Sequence, residues 1–132
     1  MPTLLNVTLN TSTNPWTVNI DQSGKANHVP RSSSAQTITW QLTGNAAKGS
    51  FVSLKDAHPG FEWGDVSPPS GIFSDTKIST DGNQLTMNDL NENAVAVGEW
   101  IYLLRVNFDG TVYSSIVAKL QGTNTNPSIK NN

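Results

Sequence analysis

Asn126-Pro127 is the dipeptide in this sequence with the least ordinary chemistry. The proline nitrogen is a tertiary amide, so its trans preference is weak. It carries no hydrogen and cannot attack the Asn side chain to form the usual succinimide. The remaining cyclisation runs the other way. The Asn126 side-chain nitrogen attacks its own carbonyl and expels Pro127, cutting the backbone. A carboxylate at that position would do the same through a cyclic anhydride. Either route needs the side chain fixed against the carbonyl and a twisted, activated amide. Asn-Pro is also a common turn dipeptide, and Asn14-Pro15 is expected to be one.

A second candidate set is aromatic. Phe61, Trp63 and Phe73 flank a stretch rich in Pro, Gly and Ser. Exposed, such rings stack on a sugar or anchor a partner protein. Folded inward, they plug one end of a core. His28 and His58 both fall in loop-like sequence and read as surface or turn histidines. With many serines a chance triad is easy, and no nucleophile-elbow pattern is present. Asp81, Asn83, Asp89, Asn91 and Glu92 offer hard oxygen ligands for Ca²⁺, but without EF-hand spacing. Turn chemistry accounts for them more simply. Asn6-Val7-Thr8 and Asn10-Thr11-Ser12 fit the glycosylation pattern, as chance alone provides in such a sequence. No cofactor and no metal are expected. Any catalysis would be a single-turnover cut, since no multiple-turnover active site is recognised.

Composition narrows the classes. The 132 residues include no cysteine, which removes thiol nucleophiles, disulfides and Cys-ligated zinc. Two histidines are too few for a His-rich metal cage. Lys+Arg 8 against Asp+Glu 10 leaves a net charge of -2, so there is no basic field for nucleic acid. No apolar run approaches the ~18 residues that a membrane span needs. Met1 to Leu9 lacks the basic start and apolar block of a signal peptide, so a cytoplasmic location is the default expectation. The 15 Asn, 14 Ser and 14 Thr compete with helical hydrogen bonds and suit turns and strand faces.

These residues must be positioned by strands, because period-2 alternation dominates. Leu5, Val7 and Leu9 form one set, Trp16, Val18 and Ile20 a second, and Ile38, Trp40 and Leu42 a third. Residues 21–35 read as a polar loop. Shorter strands are expected over 50–55, 72–80 and 84–90, with a long loop over 56–71 and room for one helical turn in 88–97. Trp100, Tyr102, Leu104, Val106 and Phe108 share one face of a long strand. Asp109-Gly110 then signals a hairpin. Val112, Ser114, Ile116, Ala118 and Leu120 alternate on the return, with apolar Ile101, Leu103, Tyr113 and Val117 opposite. Seven to eight strands predict an all-β, immunoglobulin-like two-sheet sandwich over 1–121, with a closed barrel as the alternative. The core is expected to hold Leu5, Val7, Trp16, Val18, Ile38, Trp40, Leu42, Trp100, Tyr102, Leu104, Val106, Ile116 and Leu120. Residues 122–132 form a polar tail, expected to dock on a sheet edge.

The C-terminal third carries a resemblance. Gly98-Glu99-Trp100-Ile101-Tyr102, Phe108-Asp109-Gly110-Thr111-Val112-Tyr113 and Asn126-Pro127-Ser128-Ile129-Lys130-Asn131 resemble the DP-EP family of small bacterial proteins, and Thr39-Trp40-Gln41-Leu42 fits as well. The resemblance implies a β-sandwich, an Asp-Pro dipeptide near the C-terminus, self-cleavage, and exchange of the C-terminal strand between subunits. By position, Asn126 stands where the family has Asp, and Pro127 matches its Pro. The family's later Glu-Pro has no counterpart in residues 1–132. A neutral amide is a far weaker nucleophile than a carboxylate, so the anhydride route is replaced by the slower amide cyclisation.

Two function classes follow. One is a self-cleaving, self-assembling sandwich, a homo-oligomer joined through a sheet edge or the C-terminal tail. The other is a non-enzymatic binding or structural module whose end loops take a protein or a carbohydrate. No nucleic acid and no membrane partner is expected.

Overall fold

The computed structural model describes residues 3–12, 14–21, 27–29, 31–64, 67–91, 98–115 and 128–131. Eleven strands are present there: β1 (Thr3–Asn10), β2 (Thr17–Ile20), β3 (Asn27–Val29), β4 (Gln36–Leu42), β5 (Ser50–Phe51), β6 (Phe61–Trp63), β7 (Lys77–Ile78), β8 (Gln84–Asp89), β9 (Gly98–Phe108), β10 (Thr111–Ser114) and β11 (Ser128–Asn131). They form two open sheets rather than a closed barrel. Sheet 1 runs β2-β1-β4-β8-β7, and sheet 2 runs β10-β9-β11-β3 with β5 and β6 also paired to β9. The fold is therefore an all-β sandwich. No helix among the described residues is long and apolar enough to cross a membrane.

The count exceeds seven to eight because short strands occur inside segments that read as loops. β3 lies within 21–35 and β6 within 56–71. Neither has the length to show a period; β6 is strand because the long β9 offers it a partner, and β3 because β11 does. The expected strands over 50–55 and 72–80 shrink for the matching reason. Only Ser50–Phe51 and Lys77–Ile78 find ladder partners, with Phe73 making an isolated bridge to Asp89.

Alternation places the core correctly in the long strands. Along β4 every second residue, Gln36, Ile38, Trp40 and Leu42, is buried. Leu5, Val7 and Leu9 from β1 and Leu85 and Met87 from β8 complete that inner face. Tyr102, Leu104 and Val106 oppose them from β9. Trp40 Nε1 donates to Tyr102 Oη at 2.9 Å across the gap between the sheets. Both side chains are wholly buried. Burial drives the Tyr102 hydroxyl pKa far above its ordinary value, against the smaller opposing pull of the Trp40 bond.

Two core assignments change. Trp16 precedes β2 and stays 37% exposed, stacking on Tyr113 at 5.4 Å instead of entering the core. The facing of β10 is also reversed. Asp109 and Gly110 take φ 53° and 81°, a two-residue hairpin turn. That turn fixes Tyr113 opposite Val106 and Val112 opposite Asn107. Tyr113 therefore packs inward, while Val112 is 51% exposed. Ile116 and Leu120 lie outside the described residues.

β9 is the element on which sheet 2 is built, and one close approach sets its outer pairing. Arg105 donates its backbone N–H to Gly60 O and accepts from Val52 N. A Cβ on Gly60 would stand 2.4 Å from Val52 O, so only glycine lets the two segments meet there. Leu104 sits on β9 with no exposed surface. Leu104→Ala should lower stability by ~2–5 kcal/mol. An unchanged denaturant midpoint would show that β9 does not face the core.

Candidate functional site

The site is the seat of β11. This strand pairs antiparallel with β9, Ile129 opposite Trp100, and parallel with β3, Ile129 opposite Asn27. It thus lies between two strands, not along an outer edge. Ser128, Ile129 and Asn131 are all buried. Ile129 joins the apolar core, and Ser128 Oγ donates to Glu99 Oε2 at 2.8 Å.

Asn131 reaches across to sheet 1. Its Nδ2 donates to Asp89 Oδ1 at 3.1 Å. Asp89 ends β8 on the inner face, with Gln36 of β4 as its register partner. Both Asp89 and Asn131 are almost wholly buried. Two residues on, buried Asn91 donates from Nδ2 to the Val29 carbonyl of β3 at 2.9 Å. Its own carbonyl accepts from Ser32 N. Four polar side chains, Gln36, Asp89, Asn91 and Asn131, therefore close one end of the core beneath β11 and β3.

The electrostatics of this end are unusual. Burial pushes the Asp89 carboxyl up from the ordinary carboxylate value to about 6, and the Asn131 hydrogen bond opposes the rise. Asp89 Oδ2 and Asn131 Oδ1 are buried without a hydrogen-bond donor among the described residues. An acceptor in that position is costly to desolvate. One proton on Asp89 would supply the missing donor.

The strand alternation contains the signal for these residues. Leu85, Met87, Asp89 and Asn91 continue one face of β8 and its exit, and Asn131 follows Ile129 by the same step of two. Asp89 and Asn91, expected in turns or as calcium ligands, are instead wholly buried at the end of β8 and just beyond it. Asp81 does form a turn. The Ser79 hydroxyl and the Asn83 N–H donate to its Oδ1, which holds its carboxyl below the ordinary value. Glu92 lies outside the described residues.

The aromatic set is brought together, and more closely than exposed anchors would be. Phe61 is buried and stacks on Tyr102 at 5.5 Å. Trp63 follows at 4.9 Å, Phe73 at a further 4.9 Å, and Trp100 at 5.7 Å beyond. The rings form a continuous series from Phe61 to Trp100, both of which are buried. Trp63 and Phe73 remain half-buried on the wall of a surface groove of about 430 Å³. His58 is exposed in its loop, and His28 is part of β3. Asn126 and Pro127 lie outside the described residues, immediately before β11. No protein-family model and no curated protein sequence matches the chain.

The sign of the Asp89 effect on stability follows from linkage. The folded state keeps its proton to higher pH than the unfolded state. Its contribution is therefore full below the unfolded value near 4 and is lost as pH rises through about 6. Asp89→Asn removes this dependence. Between pH 4 and pH 7 the variant should gain about 2–3 kcal/mol relative to the parent in urea unfolding. A constant difference across that range would show that Asp89 titrates normally.

Proposed function

We propose that this chain is a self-assembling sandwich, immunoglobulin-like in architecture and related to the DP-EP proteins, in which β11 is the exchangeable element. A cut at Asn126-Pro127 frees that element from its own chain. The supporting observation is the way β11 is held. Four consecutive residues pair with β9, three of them, Ile129 to Asn131, pair with β3 as well, and three of the four side chains are buried. Those contacts are made by residues 128–131 themselves. A copy of the same segment from a second chain can make every one of them, which is the chemistry of strand addition.

With Asn at 126 the bond is expected to stay mostly intact, because an amide nitrogen is a poor nucleophile. Asn126→Asp restores a carboxylate there. The folded variant should cut itself just before Pro127. Mild acid should speed the cut, since the departing nitrogen can be protonated while much of the carboxylate is still ionised. Unfolding in urea should slow it, because positioning supplies the acceleration. After the cut, mixing isotope-labelled with unlabelled protein should give labelled bodies carrying unlabelled β11 in native mass spectrometry. Equal rates in folded and unfolded samples would remove the role of the fold, and absence of mixed species would remove exchange.

A second reading rests on the groove beside Trp63 and Phe73. Two half-buried rings beside exposed Ser70, Ser74 and Asp75 match the mixed apolar and hydroxyl surface of a sugar. A glycan array carries the test. Binding that disappears in Trp63→Ala supports a carbohydrate module, and an array blank for the parent protein removes it.

A further inference from the structure

We propose that Asp89 is the specificity-determining residue of the β11 seat: it selects asparagine at position 131 by forming a cyclic acid–amide pair, and so grips β11 more tightly when it carries a proton. The inference rests on the reading of β11 as the docking element and names how that docking is chosen and controlled.

The geometry carries the argument. One half of the ring exists already, with Asn131 Nδ2 donating to Asp89 Oδ1 at 3.1 Å. The two remaining oxygens, Asp89 Oδ2 and Asn131 Oδ1, both lack donors and are both buried. Two acceptors on an already bonded pair are satisfied together by a single proton on Asp89 Oδ2, donated to Asn131 Oδ1. The proton comes from water, and Asn131 Oδ1 is its acceptor because that amide is already bonded to the same carboxyl. The amide of asparagine offers a donor and an acceptor on one planar head, which is what a carboxylic acid presents in return. Leucine at 131 would leave both acid oxygens unpaired, and aspartate would place two carboxyls face to face.

Nothing else charged competes for Asp89 in the described side chains. Gln36 opposes it on β4 and Phe73 bridges to it. On β9, Glu99 is bonded to Ser128. On β3 and β11, His28 and Lys130 are register partners of each other, one residue before Val29 and Asn131. The carboxyl value of about 6 reflects burial first, with Asn131 as the partner. It agrees with the geometry without being needed for it.

The test is hydrogen exchange in the full chain, read at the amides of Ile129 to Asn131 and corrected for intrinsic rates. Trp40 and Leu85 amides serve to show that β11 opens locally, without global unfolding. Between pH 7.5 and pH 5, β11 protection should rise about tenfold, the change expected when a group titrates near 4 when free and near 6 when docked. Asp89→Asn replaces the acid by an amide with the same donor and acceptor. Its β11 should be as protected as the parent's at pH 5, with no pH slope. Asp89→Leu removes the charge and also the pairing. Its β11 should lose about tenfold protection or more relative to Asp89→Asn at both pH values. A flat parent profile overturns the proposal. So does Asp89→Leu protected as well as Asp89→Asn, since relief from burying a charge would then be the whole effect. These readouts are separate from exchange between copies. The expected pattern together with no mixed species would support the Asp89 pair and remove only the exchange reading.

Discussion

A single hydrogen bond inside the dry layer sets the spacing of the two sheets. Trp40 Nε1 and Tyr102 Oη are polar atoms with no water to turn to, so each must meet the other. Their strands are therefore held at one separation and one relative shift. A slip of either strand by one residue would swing its ring to the outer face and leave the partner stranded. Phe61 packs against both rings, 5.5 Å from each. It carries β6 into place, and with it the approach of Gly60 and Val52 to Arg105. Glu62 then reaches Arg105 at 2.9 Å on the outside. The series of rings that runs through Trp63 to Trp100 is thus anchored at its Phe61 end by the same pair.

The Asp89–Asn131 contact is the second polar tie between the sheets, and its chemistry differs. The bond from Trp40 to Tyr102 forms without a proton from outside. Asp89 and Asn131 satisfy each other only when one is supplied. The first tie joins two long strands deep in the fold. The second joins β8 to a strand of four residues at the end of the sandwich. A conditional tie at a peripheral strand alters local opening, whereas the same chemistry at the centre would alter the whole fold.

Much of the scaffold was legible in the sequence. Leu5 to Leu9, Ile38 to Leu42 and Trp100 to Val106 alternate over enough residues for the period to speak, and they form β1, β4 and β9. The Asp109-Gly110 turn was equally clear, yet its consequence for register decides which of Val112 and Tyr113 faces inward. That follows from turn geometry and not from hydrophobicity. β3, β6 and β11 are three or four residues long and exist because a partner strand is waiting for them. No local pattern can announce a strand whose cause lies in a distant part of the sequence. Trp16 failed for another reason: a large ring counts as core by type, but an aromatic neighbour such as Tyr113 serves it as well near the surface. At the site, polarity hid the signal. Asp89 and Asn131 occupy inward steps of their strands and Asn91 the next inward step past β8, and the types of Asp89 and Asn91 point to turns and ions instead.

Covalent attachment and the acid–amide tie act on the same equilibrium. While β11 belongs to an intact chain, covalent attachment raises its effective concentration at its own seat. Even a modest seat then stays filled. On the proposed reading a cut before Pro127 removes that advantage, and the segment must hold on by its own contacts. Burial of Ile129 contributes roughly 2–3 kcal/mol, and the backbone pairs on both sides add to it. Neither term distinguishes this segment from any short strand with one aliphatic residue. The Asn131 amide is the feature that does, and Asp89 is the group that recognises it. On the same reading mild acid is expected to speed departure of the proline nitrogen in Asn126→Asp, and it also supplies the proton that completes the pair. The condition that would free β11 from its chain is therefore the one in which the seat holds it most selectively.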